Sequence, residues 1–262
     1  MVPRFAKRIA RSSLNSLGLS LHDLRKNNDL SVFLPGHLNS LLRRLNINCV
    51  IDVGANVGNY GLMLRQIGYQ GRIVSIEPVR EVFDRLCATA SADAEWRTLN
   101  LGCGSVEELR EIHVFTEDLH SSFLSPAPNL AVIDSQAVVR TQTINVKRLD
   151  SLFDELLEGI ENPRVFLKTD VQGLDLEVLK GTGQGISKVE AIQSEMAVIP
   201  LYAGVPDYLE FLSYCRRIGF EPTGFFPVLN SPLTGHLVES DVVLARRHWT
   251  NIESALVDSI TN

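Results

Sequence analysis

The chain of 262 residues is long enough to bury a substantial core, and with 45% hydrophobic and 21% charged residues it reads as an ordinary soluble globular protein. Its net charge of −6 argues against a general nucleic-acid binder, which needs a basic face. No apolar run reaches the roughly 20 residues that cross a bilayer, there is no signal-peptide core, and Cys49, Cys87, Cys103 and Cys215 lack zinc or C-x-x-C spacing, so they read as small buried residues in a reducing cytosol.

Residues 1–47 read as an N-terminal helical extension. Arg4, Lys7, Arg8 and Arg11 recur with helical spacing between Phe5, Ile9, Leu14 and Leu17. That pattern fits a helix packed on the core with a solvated basic face, and it also suits an anionic lipid surface, giving a cytoplasmic protein peripheral to the inner face of a membrane. Residues 34–45 read as a helix leading into the first strand.

The run Cys49 to Val53 is apolar enough to be a strand buried on both faces, apart from Asp52. It breaks at Gly54, passes Ala55, Asn56 and Gly58, and enters a helical pattern through Tyr60, Leu64 and Ile67. Strand, glycine turn and helix open a nucleotide-binding α/β unit. Glycine serves where the backbone bends sharply or a ligand must approach the main chain. The spacing Gly54-x-x-x-Gly58 is not that of a dinucleotide or triphosphate loop. An acid before the turn suits hydroxyls or a positive charge rather than a pyrophosphate. A second strand, 72–76, ends in Glu77-Pro78. Glu77 lies 25 positions after Asp52, as one strand–helix–strand repeat requires, and an acid there can accept both hydroxyls of a ribose.

Residues 81–90 read as the next helix and 96–101 as a third strand, with Asn100, Leu101 and Gly102 at its end. Residues 111–116 read as an extra strand. The polar stretch 117–140, with His120 beside Ser121 and Ser122, reads as a loop over the cleft and a candidate lid. Then come a short strand 144–146, a helix 149–157, and an apolar strand 165–170 ending in Asp170. A helix 175–179 and a strand 191–195 ending in Glu195 follow. A helix 207–218 is stopped by Gly219. Segments 223–228 and 242–245 read as a final antiparallel hairpin. The alternation implies a doubly wound α/β fold: a mostly parallel seven-stranded sheet, helices on both faces and a C-terminal antiparallel hairpin. Ligands then sit beyond the strand carboxyl ends, where Asp52, Gly54, Glu77, Asn100 and Asp170 converge. Residues 48–250 read as one domain and 251–262 as a tail.

Val50 to Gly58 and Ile76-Glu77-Pro78 resemble the first two motifs of class I S-adenosylmethionine-dependent methyltransferases. Lys168-Thr169-Asp170-Val171-Gln172-Gly173-Leu174-Asp175 continues to Gly181 and resembles the K-I-D-V-E-G-x-E signature of the FkbM family of O-methyltransferases. Gln172 and Asp175 stand where that family usually has two glutamates. The resemblance implies a Rossmann-like fold and methyl transfer from S-adenosyl-L-methionine to a hydroxyl of a sugar, glycolipid or natural product. It implies that Gly54, Asn56 and Gly58 cradle the methionyl and ribose portion, Glu77 with Pro78 the ribose, and Asn100, Leu101 and Gly102 the adenine. Asp52 would lie near the amino group or orient the turn through backbone N–H groups.

An alcohol is a poor nucleophile at neutral pH, so a base should help remove its proton. Asp170, His120 and Glu195 are the candidates, with His236 weaker. Asp170 has a competing reading as an N-cap of the next helix. No tight ligand spacing indicates a metal. His22, His37, His113 and His248 read as structural or surface residues. Two alternatives stay open: a non-catalytic S-adenosylmethionine-binding module, which the Gln172 and Asp175 departures allow, and a nicotinamide-dependent oxidoreductase, against which the glycine spacing and the lack of a Tyr-x-x-x-Lys pair count.

Overall fold

The computed structural model describes residues 33–115, 138–200 and 204–247. A seven-stranded sheet has the order β3-β2-β1-β7-β8-β10-β9, formed by β1 (Cys49–Val53), β2 (Arg72–Ile76), β3 (Trp96–Leu99), β7 (Val165–Thr169), β8 (Val189–Ala197), β9 (Phe220–Asn230) and β10 (Leu237–Arg246). The ladders from β3 to β8 are parallel, and β10 runs antiparallel to both of its neighbours. The expected mostly parallel sheet and terminal hairpin are both present.

Among the described residues, six α-helices cover the two faces. α1 (Leu34–Arg44), α2 (Asn59–Gln66) and α3 (Arg80–Ala90) place Leu38, Leu42, Leu64 and Leu86 against Val50, Ile73, Phe166 and Val243. α4 (Leu149–Leu156), α5 (Asp175–Lys180) and α6 (Tyr208–Arg217) place Phe153, Leu176, Val178 and Phe211 against Ile51, Val74, Leu167 and Ile192. Alternate residues of β1 and β7 therefore feed opposite cores, which is why both strands read as unbroken apolar runs rather than alternating ones. α6 is capped by the Asp207 side chain, which accepts from the Glu210 N–H at 2.9 Å, and it ends at Gly219 with φ +92°.

A second, three-stranded sheet was not foreseen. It has the order β4-β6-β5, from β4 (Gly102–Cys103), β5 (Glu108–Phe115) and β6 (Val138–Lys147). The third strand of the main sheet consequently stops at Leu99, and Gly102 belongs to a strand paired with Val146. β6 starts at Val138, inside the stretch expected to be loop, and is far longer than the 144–146 expected. Polar residues such as Arg140, Gln142 and Asn145 hide it in the sequence. Among the described residues of β5 and β6, Ile112, Ile144 and Val146 supply a buried face, packed on Val79 and Val82 of the α3 region. The rest of the candidate lid, with His120, lies outside the described residues, as does the basic segment 1–21. Among the described residues no helix is long and apolar enough to cross a membrane.

Trp96 fixes how α2 meets the sheet. Its indole N–H donates to the Ser75 hydroxyl at 3.0 Å, and its ring fills the space where Gly61 of α2 would carry a side chain. Gly61→Ala should therefore overpack this contact and lower stability by about 1–3 kcal/mol. Urea unfolding of the variant checks this; unchanged stability would show that the helix can shift away.

Candidate active site

The sheet order reverses between β1 and β7. β2 and β3 lie to one side of that point and β8 to the other, so the carboxyl ends of β1 and β7 diverge into a crevice. Gly54 leaves β1 with φ +80°, a conformation costly for any residue bearing a Cβ. A side chain there would overlap the Asp170 carbonyl oxygen at the end of β7. The Asp170 N–H donates in turn to the Val53 carbonyl at 3.0 Å. Gly54 is thus required by the approach of two strand ends. Gly58, with φ +92°, heads α2, and its missing Cβ faces Leu86, Thr89 and Trp96 at 3.0–3.2 Å.

Glu77 holds the glycine turn. Its Oε2 accepts from the Asn56 N–H at 3.0 Å and its Oε1 from the Val79 N–H at 2.9 Å. Asn56 itself has φ +49°. Burial pushes the Glu77 carboxyl up to about 7, against the two backbone donors. Asn100 ties β3 to the same corner: its Nδ2 donates to the Glu77 and Pro78 carbonyls at 2.9 and 3.0 Å. Leu101 is half-buried beside it and Gly102 is buried.

Asp52 does something other than expected. It is fully buried, and no backbone N–H of the turn reaches it; the turn is oriented by Glu77 instead. Its partner is Lys168, whose Nζ lies 3.1 Å from Asp52 Oδ1, 3.4 Å from Asp170 Oδ2 and 3.4 Å from the Gly54 carbonyl oxygen. The Lys168–Asp52 contact is a close ion pair between two buried side chains. The Tyr60 ring centroid is 5.3 Å from the same ammonium, and the Tyr60 hydroxyl donates to Gln193 Oε1 at 2.7 Å. Burial alone would lower the Lys168 pKa, but the Asp52 and Asp170 carboxylates outweigh it and hold the ammonium above the ordinary lysine value. Burial raises the Asp52 carboxyl, with Lys168 opposing.

Asp170 is the exposed end of this chain of charges, its side chain 38% accessible. It does not cap α5: the N-cap there is Leu174, without a side-chain hydrogen bond. Gln172, with φ +52°, directs Nε2 to Asp170 Oδ1 and Glu195 Oε2 at 3.4 and 3.5 Å. Asp170 and Glu195 thus share one neighbour. Burial, then the nearby Asp170, Glu239, Asp175 and Asp241, push Glu195 well above the carboxylate range. His236 is exposed in the β9–β10 turn, apart from these contacts. His37 has a packing role, its Nε2 2.9 Å from Thr223 Oγ1 and its ring on Phe226. Cys49, Cys103 and Cys215 are buried, whereas Cys87 is only half-buried. Among the described residues no group of three or more His, Cys, Asp or Glu is placed to hold a metal ion.

Lys168, Tyr60 and Gln193 were not anticipated as parts of the site. A lysine inside an otherwise apolar strand, two residues before an acid at the strand tip, was the available signal for Lys168. Tyr60 and Gln193 carry no such mark.

A family model described as the FkbM methyltransferase domain matches residues 52–222. The chain is 26% identical over 199 residues to the hexuronic acid methyltransferase AglP of Haloferax volcanii, covering 75% of this chain and 69% of that protein. Among solved structures it is similar to Aeropyrum pernix fibrillarin with natively bound S-adenosyl-L-methionine, at 11% identity and TM-score 0.42, covering 76% of this chain and 66% of the other. It is also similar to TrmK of M. capricolum in complex with S-adenosyl-homocysteine, at 9% identity and TM-score 0.41, covering 78% and 68%. Structural likenesses this distant say nothing of activity.

Lys168→Met would leave Asp52 a buried, unpaired carboxyl, a change that costs about 3–5 kcal/mol when one partner of a buried pair is removed. The loss should depend on pH. Asp52, already raised by burial, would rise further in the folded variant, above an unfolded value of about 3.9. A folded value above the unfolded one means that stability is lost as pH rises from about 4 through the folded value. Urea unfolding of variant and parent at pH 5 and pH 8 should give the larger deficit at pH 8. An equal deficit would mean that Asp52 is not the residue stranded.

Proposed function

The chain belongs to the FkbM methyltransferase family, and from that premise we propose that it methylates a hydroxyl of a sugar, glycolipid or natural-product acceptor. Its methyl donor is S-adenosylmethionine. The observation that carries the proposal is the Asp52–Lys168–Asp170 chain at the sheet reversal, which sets a half-exposed carboxyl beside the glycine turn. The 26% identity to a hexuronic acid methyltransferase supports a sugar acceptor.

The residues present fit the donor. Glu77 has accepted one backbone N–H on each oxygen, and a carboxylate has lone pairs for two further donors, as a ribose diol needs. Asn56, Gly58 and Pro78 would complete the wall around the ribose and methionyl portion. Asn100, Leu101 and Gly102, at the adjoining corner, would border the adenine. Asp52 would act through Lys168, which fixes both the Gly54 carbonyl and Asp170. When bound, S-adenosylmethionine supplies a methyl carbon already activated by a sulfonium, open to in-line attack by an acceptor oxygen. The protein's share is then mainly alignment, which supplies several kcal/mol, together with acceptance of the hydroxyl proton. Asp170 is the residue we place in that role. Glu195, raised well above the carboxylate range, would hold a proton at neutral pH and donate to the acceptor. His120, outside the described residues, is the other candidate base.

Calorimetry with S-adenosylhomocysteine and transfer of labelled methyl test these roles together. Glu77→Ala should weaken binding by roughly 10–100-fold, the worth of hydrogen bonds to a charged group, and Asp170→Ala much less. Asp170→Ala should instead lower turnover by about 10²–10⁴-fold. The reverse order would overturn the assignment, and binding without turnover on any hydroxyl acceptor would favour a non-catalytic module. Affinity for S-adenosylhomocysteine should also fall as pH drops through about 7, because protonated Glu77 loses acceptor capacity. A flat profile between pH 6 and 8 would remove Glu77 from the ribose.

Residues Arg4, Lys7, Arg8 and Arg11 would suit an acceptor anchored in an anionic membrane. Flotation with anionic liposomes at low salt should carry the protein upward, and no association would remove this support.

A further inference from the structure

Beside Asp170 the sheet carries more carboxyls than methyl transfer requires. Asp241 is registered directly opposite Glu195, and Glu239 opposite Ala197. Residues opposite or two apart share a face of a sheet, so Glu195, Asp241 and Glu239 gather at one end of the β8–β10 ladder. Asp175, at the start of α5, joins them. A cavity of about 30 Å³ opens between these elements, its lining including Asp175, Glu195 and Glu239 together with Leu176, Met196 and Phe211. That is room for about one group the size of a water molecule.

Asp175 points to a ligand in this cavity. It is only 4% exposed, yet its Oδ1 has no hydrogen-bond partner. Buried carboxyl oxygens are normally paired. Among the described residues no lysine or arginine forms an ion pair with Asp175, Glu195, Glu239 or Asp241. Lys168 is engaged by Asp52 and Asp170. Burial raises the Asp175 and Asp241 carboxyls to about 6, with Lys168 opposing, and raises Glu239 too.

We infer that this cavity is an acceptor subsite for a positively charged group, an ammonium carried by the acceptor near the hydroxyl to be methylated. The inference rests on the methyltransferase reading above and narrows its acceptor class to amine-bearing compounds, such as amino sugars. An ammonium has the size of the cavity and three donors, for the Asp175 and Glu239 carboxylates and for the carbonyl oxygen of protonated Glu195. An acceptor bearing a carboxylate, such as the hexuronic acid in the relative's name, would meet the Asp170, Asp175, Glu239 and Asp241 carboxylates and be rejected by like charge, so the two proteins would differ in acceptor.

Methyl glucosaminide, methyl glucoside and methyl glucuronide are suitable probes, titrated at pH 7 onto the protein with and without saturating S-adenosylhomocysteine. The ammonium glycoside should bind about tenfold or more tighter than the neutral one, as hydrogen bonds to charged groups imply, and the glucuronide should bind weakest. Asp175→Asn, which keeps the side-chain shape, and Glu239→Gln should each reduce the ammonium preference several-fold. Equal affinity for the three glycosides, preference for the glucuronide, or an unaltered preference in both variants would overturn the subsite. So would displacement of the ammonium glycoside by an equimolar divalent cation, which would make the cluster a metal site. S-Adenosylhomocysteine binding is read separately. Ammonium preference without it would keep the subsite and sink the methyltransferase reading, and the converse would do the opposite.

Discussion

Lys168 sits in a strand with core on both sides, where an isolated ammonium would shed its proton or disrupt the fold. Asp52, fully buried on the next strand, is equally unsuited to stand alone. Each is tolerable because of the other, and their pairing joins the carboxyl ends of β1 and β7 where the strand order reverses. Buried pairs of this kind often contribute little net stability, since desolvation offsets attraction. What this one supplies is position. Lys168 also meets the Gly54 carbonyl and Asp170, so the turn that would face the cofactor and the acid that would face the acceptor are held by one ammonium.

The same corner explains why the turn has its sequence. Gly54 must lack a side chain because the Asp170 carbonyl comes too close, and Gly58 because α2 packs on Leu86, Thr89 and Trp96. Both glycines are demanded by the fold before any ligand arrives. Glu77 completes the arrangement by accepting the Asn56 N–H across from the neighbouring strand. A ligand entering here would find a backbone already fixed, which lowers the ordering cost of binding.

Most of the main sheet was legible because its strands are short, apolar and separated by helical patterns. The β9–β10 hairpin and the Gly219 stop followed from similarly local signals. β5 and β6 were less so: a small sheet with one solvated face has a sparse apolar pattern, and Val138 to Thr143 reads as polar loop. Within the site, strand-end acids such as Glu77 and Asp170 could be placed, since position in a parallel sheet predicts them. Pairing could not. That Asp52 would face Lys168 and not the turn depends on the register between β1 and β7, strands more than a hundred residues apart in sequence. The gathering of Glu239 and Asp241 around Glu195 likewise depends on an antiparallel register that no local pattern discloses.

Asp52 and Lys168 act as one unit. A double-mutant cycle in urea, with Asp52→Asn, Lys168→Met and the two combined, measures it directly. The combined variant should be more stable than the sum of the single losses implies, with a coupling of about 1–3 kcal/mol. Additive losses would mean that the two groups stabilise the strand ends independently, and that the Lys168 ammonium is not the joint between the turn and Asp170.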